Sequence, residues 1–153
     1  MPQFGLQKVM KIKTLLILLT FFVSVISSGT QAETKFDIGL AIGGYLTATD
    51  LLEKFNDSEC GYINKRKGIT LLNAIRKTYS KLPEELNVEF KSLIESEHFE
   101  KKMSENDTFI IEFLIAGKKD HLDKNTLCGM LSSILTGMYS KQVQLIESVL
   151  DEN

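Results

Sequence analysis

Apolar residues recur along most of this chain at intervals of three and four, the spacing of one helix face, in stretches separated by short polar breaks. The first apolar stretch is different. Leu15-Leu16-Ile17-Leu18-Leu19-Thr20-Phe21-Phe22-Val23-Ser24-Val25-Ile26 is a continuous block. Lys8, Lys11 and Lys13 precede it, and Ser27-Ser28-Gly29-Thr30-Gln31-Ala32 follows. A basic start, an apolar run and a small-x-small ending predict a secretory signal peptide over residues 1–32, cut after Ala32. The run is about a dozen residues, short of the ~20 that span a bilayer. Met10-Lys11-Ile12-Lys13 would itself make an ordinary start of translation.

Beyond the leader the pattern predicts helices throughout. Leu51, Leu52 and Phe55 place a helix over 49–55, with Thr49 or Asp50 as N-cap. The Gly-rich stretch 36–45 either begins that helix or extends ahead of it. Asn56-Asp57-Ser58 signals a turn. A second helix is expected over about 59–80, with Cys60, Ile63, Leu71, Leu72, Ile75 and Tyr79 inward and Lys65-Arg66-Lys67-Gly68 as a break. Pro83-Glu84-Glu85 opens a third, whose stripe is Leu86, Phe90, Leu93, Ile94 and Glu97. Ser104-Glu105-Asn106-Asp107 offers caps for a helix over 109–116, with Gly117 at C′. Its run Phe109-Ile110-Ile111-Glu112-Phe113-Leu114-Ile115 is also the one stretch with strand-like density of β-branched residues. A fifth helix is expected over about 125–139, and Ser140 caps a last one bearing Val143, Ile146, Val149 and Leu150. Sustained strand alternation and Asn-Gly or Asp-Gly hairpin turns are missing. The expected fold is all-α: a compact bundle of five or six helices forming a single domain over 33–153, after a cleaved signal peptide.

Charge and cysteines change the picture once the leader is set aside. Removing residues 1–32 takes away three lysines and no acid. The remaining 15 basic and 20 acidic side chains carry −5, where the whole chain carries −2. That sign disfavours nucleic acid and anionic lipid, which are bound by neutralising phosphate with Lys and Arg, and suits a protein partner. No later segment is apolar enough for stable membrane insertion after cleavage. Periplasmic or secreted is the expected location. There, two cysteines, Cys60 and Cys128, most simply form one disulfide enclosing more than half of the mature domain. Such a bridge is worth about 4 kcal/mol on chain-entropy grounds.

Chemistry-bearing patterns are sparse. Glu95-x-x-His98 has the i, i+3 spacing of carboxylate-bridged di-iron bundles, but those need two such pairs and two more Glu; it reads as helix surface. Cys–His catalysis needs a free thiolate, which a disulfide removes. The G-x-S-x-G elbow and the Gly-rich phosphate loops have no counterpart in the spacing of Gly39, Gly43 and Gly44. The expectation is no catalytic residue, no metal, no cofactor and no enzyme. Asn56-Asp57-Ser58 and Asn106-Asp107-Thr108 are formal glycosylation sequons, read here as caps and turns. Lys65-Arg66-Lys67 reads as a solvated basic face. The candidate partner-binding residues are Lys118, Lys119, Asp120, His121, Leu122 and Asp123, a mixed-charge linker just before Cys128. A disulfide at its root would stiffen it, and a pre-organised loop loses less entropy on binding.

The pairing of Glu59-Cys60-Gly61-Tyr62 with Leu127-Cys128-Gly129-Met130-Leu131, with a polar loop directly before the second and a leader before both, resembles the periplasmic immunity proteins of type VI secretion amidase effectors. The resemblance covers most of the mature chain in layout and these two stretches in residues. It implies a protein that binds a secreted cell-wall amidase and plugs its cleft, often as a homodimer. The same layout is similar to small periplasmic acid-stress chaperones, in which carboxylates would carry the acid switch. A third class is a carrier of a small apolar ligand lined by Met103, Met130 and Met138, residues that otherwise read as core.

Overall fold

The computed structural model describes residues 31–63 and 66–151. The expected leader lies outside these residues except for Gln31 and Ala32, which are already helical. The chain divides into two units, Met1–Glu33 and Thr34–Asn153, and the fold is that of the second. Five α-helices and no strand are present among the described residues: α1 Gln31–Asp57, α2 Leu71–Lys81, α3 Glu84–Ile94, α4 Glu97–Lys119 and α5 Lys124–Asp151. Among these, no helix is long and apolar enough to cross a membrane.

Helix α1 does not start at Thr49. Its buried face runs Ile38, Ala41, Ile42, Tyr45, Leu46, Thr49, Leu52, Phe55, an unbroken 3.6-residue stripe, and the helix continues without a break through Gly39, Gly43 and Gly44, which lie off that face. Thr49 and Asp50 are buried in mid-helix, so neither is an N-cap. The Thr49 hydroxyl donates to the Tyr45 carbonyl one turn back, at 2.7 Å. Burial beside Tyr139 pushes the Tyr45 phenol up to about 12.

Helices α1 and α5 form an antiparallel spine. Cys60, just past the end of α1, is bonded to Cys128 in the first turns of α5, with Cα atoms 5.2 Å apart. At the other end Ile38 and Ile42 share a core cluster with Ile146. Helix α4 covers one half of this spine, where Ile110 and Leu114 pack with Phe55, Leu127, Leu131 and both cysteines. Helices α2 and α3 cover the other half through Ala74, Leu82, Leu86 and Phe90.

Several expected boundaries move. The 59–80 helix is a turn over 59–63 followed by α2 alone, capped by Thr70, whose hydroxyl accepts from the Asn73 N–H at 3.2 Å. Glu53 of α1 also accepts the Leu71 N–H at 2.7 Å. The buried residues of α2 are Ala74 and Thr78; Ile63, Leu72 and Tyr79 point outward instead of inward. The stripe from Leu86 to Glu97 is cut at Ser96, whose hydroxyl accepts from the Phe99 N–H and starts α4. Helix α4 runs straight through 104–107. The β-branched run 109–115 is helical, because burial of Ile110 and Leu114 outweighs propensity. Ser140 does not start a last helix: α5 continues through it to Asp151.

The polar residues read as caps in α4 are held sideways instead. Asn106 is buried and donates its amide to Asp50 Oδ2 at 2.7 Å. Lys54 sits 3.1 Å from Asp50 and 3.1 Å from Asp107, and also donates to the Met103 carbonyl. Removing one partner of a buried ion pair leaves a charge unpaired and costs more than the pair itself contributes. Lys54→Met is therefore expected to destabilise by about 3 kcal/mol in urea unfolding, and adding Asp50→Asn should recover part of that loss. A single-variant cost below the error of the measurement would refute the role given to the pair.

Candidate functional site

The two stretches around the cysteines meet at one corner of the molecule. After Asp57 the chain turns sharply through 58–63. The Ser58 hydroxyl donates to the Phe55 carbonyl at 2.7 Å and accepts the Cys60 N–H at 3.1 Å. This turn requires glycine at 61, where a Cβ would lie 1.9 Å from the Asn56 carbonyl oxygen. Cys60 is thereby laid against α5, and both cysteines are fully buried.

The other side of the corner is the α4–α5 connection, shorter than the mixed-charge linker expected from Lys118 to Asp123. Gly117 is not its C′ residue. Helix α4 runs on to Lys119, and Gly117 is a buried packing position where a Cβ would come 2.0 Å from Leu127 Cδ2. The C′ residue is His121, with φ 61°. The Leu122 N–H bonds to the Gly117 carbonyl and the His121 N–H to the Lys118 carbonyl, both at 3.1 Å, the pairing of a Schellman motif. A non-glycine residue in this left-handed region is strained. Asp123 then caps α5: its carboxylate accepts the Thr126 N–H at 3.0 Å and the Thr126 hydroxyl at 2.5 Å. The Thr126 hydroxyl, followed by its N–H, holds the Asp123 carboxyl below its ordinary range.

Polar contacts join the two sides outside the disulfide. Glu59 pairs with Lys118 at 2.9 Å and with Lys124 at 3.3 Å. Lys118 first, then Lys124, lowers the Glu59 carboxyl. The Tyr62 hydroxyl donates to Asn125 Oδ1 at 2.6 Å, and the Lys124 ammonium lies 5.8 Å from the centre of the Tyr62 ring. Of the six residues expected to bind a partner, Lys118 and Asp123 are engaged in holding the corner together. Lys119, Asp120, His121 and Leu122 are exposed around the strained C′ position. Glu59, Tyr62, Lys124 and Asn125 were not among the expected site residues. Their signal lay in the cysteines, because residues flanking one half of a disulfide lie near those flanking the other.

The other motifs separate. Glu95 ends α3 and His98 lies in the first turn of α4, both exposed, with Glu95 3.9 Å from Lys91. Asn56 and Asn106, the sequon asparagines, are both buried; Asn56 lies in the last turn of α1, so the expected turn begins only at Ser58, and Asn106 is in mid-helix. Met103 is buried, Met138 packs against the α4 half of the core, and Met130 is 43 % exposed, so the three do not converge on a common lining.

Three outcomes check this arrangement. Replacing both cysteines by serine should lower stability by about 4 kcal/mol; an unchanged melt would rule out the bridge as the root of the corner. His121→Gly should raise stability by about 1 kcal/mol, since glycine carries no penalty in the left-handed region, and a lower melting temperature would show that the imidazole itself holds the turn. The third concerns pH. Because folding favours the ionised form of Glu59, its contribution is fully present above the ordinary carboxylate range and is lost as pH falls below that range through the lowered value Glu59 has in the folded protein. The melting-temperature gap between wild type and Glu59→Gln should narrow as the pH is taken below the ordinary range of a Glu carboxyl; a gap of constant size would mean the ion pairs contribute nothing.

Comparison with models of protein families, with curated proteins and with solved structures gave no match to this chain.

Proposed function

We propose that this is an exported, non-catalytic binding protein that acts by occupying a partner protein, in the manner of an immunity or inhibitor protein against a secreted cell-wall-degrading effector. The observation that carries this reading is the doubly tied corner. A buried disulfide, the Glu59 ion pairs and the Tyr62–Asn125 hydrogen bond hold two turns together. They present exposed Lys119, Asp120, His121 and Leu122 on one side and Tyr62 on the other. A surface fixed before binding loses little conformational entropy when a partner covers it. An exposed tyrosine is a residue type enriched at interface centres, and a mixed-charge surround is typical of their polar rim. A disulfide as the root of that surface fits an oxidising compartment, and a net charge of −5 after loss of the leader fits a basic or neutral protein partner over a polyanion.

The test is recovery of the tagged protein from the periplasm of cells that also express the neighbouring gene products. A stoichiometric protein partner is expected, retained by wild type and lost on His121→Gly combined with Leu122→Asp. Recovery of the protein alone, together with suppression of client aggregation at acid pH, would replace this reading with a chaperone. A co-purifying lipid would replace it with a carrier.

A further inference from the structure

Taking the corner as a partner surface, we propose that the open cleft at the end of α1 receives the guanidinium of an arginine side chain on the partner protein. The cleft has a volume of about 670 Å³ and is lined by Asn56, Asp57, Ser58, Glu59, Gly61 and Tyr62. Asn56 is only 8 % exposed, and its side-chain oxygen Oδ1 has no hydrogen-bond partner. A buried acceptor left unpaired costs stability that an incoming donor recovers. Asp57 is exposed and has no ion-pair or hydrogen-bond partner among the described residues. It is the last residue of α1, where the unpaired helix carbonyls already place partial negative charge. An acid at that end is unfavourable for folding alone, and a cation bound beside it offsets both charges. Glu59 does not supply that cation site, since Lys118 and Lys124 already pair with it.

Tyr62 favours guanidinium over ammonium. Its hydroxyl is fixed on Asn125 Oδ1 at 2.6 Å, and its ring is 62 % exposed. The Lys124 ammonium, 5.8 Å from the ring centre, already uses the ring as a cation contact. A planar guanidinium stacks on an aromatic ring and forms a forked pair with a carboxylate, whereas an ammonium offers a compact point charge. A metal ion fits less well: among the described residues no three His, Cys, Asp or Glu side chains stand together as a ligand set. The acidic balance of the chain beyond the leader draws a basic partner surface toward the cleft.

The test is titration of the disulfide-bonded protein with argininamide, followed by backbone amide NMR shifts, with lysinamide and glycinamide at equal ionic strength for comparison. Argininamide should move the amides of residues 56–62 along saturating curves, lysinamide should bind more weakly, and glycinamide should leave them in place. Asp57→Asn, which keeps the shape of the side chain, should weaken argininamide binding by about tenfold. It should melt no lower than wild type, because the acid it removes is unfavourable at a helix C-terminus. Scattered or unsaturated shifts, equal affinity for lysinamide, undiminished binding by Asp57→Asn or a lower melt of that variant would overturn the proposal. Recovery of the protein partner from the periplasm separates the two ideas. If Asp57→Asn recovers the partner as well as wild type does, the cleft has no such role and the binding reading stands. If wild type recovers no protein partner, the binding reading falls, and the arginine contact falls with it.

Discussion

Everything in this domain hangs on the packing of α1 against α5, the two longest helices and the ones furthest apart in the sequence. Their antiparallel contact supplies the floor of both core clusters. Leu46, Leu52 and Phe55 on one side and Leu127, Leu131 and Leu135 on the other are almost wholly removed from water. A fully buried side chain of this size is worth about 1.5–3 kcal/mol, so this pair of helices carries most of the apolar stabilisation. The shorter helices fill in around the spine, α4 over the disulfide end and α2 with α3 over the far end. The disulfide fixes the spine at the place where two chain reversals would otherwise be free to splay.

That arrangement explains why the corner is stiff. A turn between helices is normally the softest part of a bundle. Here the 58–63 turn is closed by Gly61 lying against the Asn56 carbonyl, and the 120–123 connection is closed by a Schellman motif at one end and the Asp123 cap at the other. Strain at His121 is tolerated because both flanking helices are anchored. A residue held in the left-handed region on an exposed, anchored turn has its side-chain direction set by the backbone, a useful property in a contact residue.

The helical class, the disulfide and the α2–α3 boundary near Pro83 were legible in the sequence, because they depend on local periodicity, cysteine context and proline. The lengths of α1, α4 and α5 were not. In each, polar or small residues that favour caps in isolation lie in mid-helix: Thr49 and Asp50 in α1, Asn106 and Asp107 in α4, Ser140 in α5. The force that keeps them helical is tertiary. Asp50, Lys54, Asn106 and Asp107 satisfy one another across two helices, and no local rule reveals a partner 56 positions away. The candidate site was legible by half for the same reason. The linker stood out by its polarity, while Glu59, Tyr62 and Lys124 become part of it only when the disulfide closes.

The position of α5 has a consequence for how the chain is born. A polypeptide emerges from its N-terminus, and α1 is made long before the helix that covers it. Until residues beyond Cys128 have appeared, the stripe from Ile38 to Phe55 lacks the part of its cover that α5 supplies and Cys60 has no partner. The core is thus completed only once α5 has been made, by contacts of large sequence separation that form slowly. A chain interrupted before α5 would be left with a partly uncovered apolar helix and an unpaired thiol, the two features by which quality-control machinery recognises an unfinished protein.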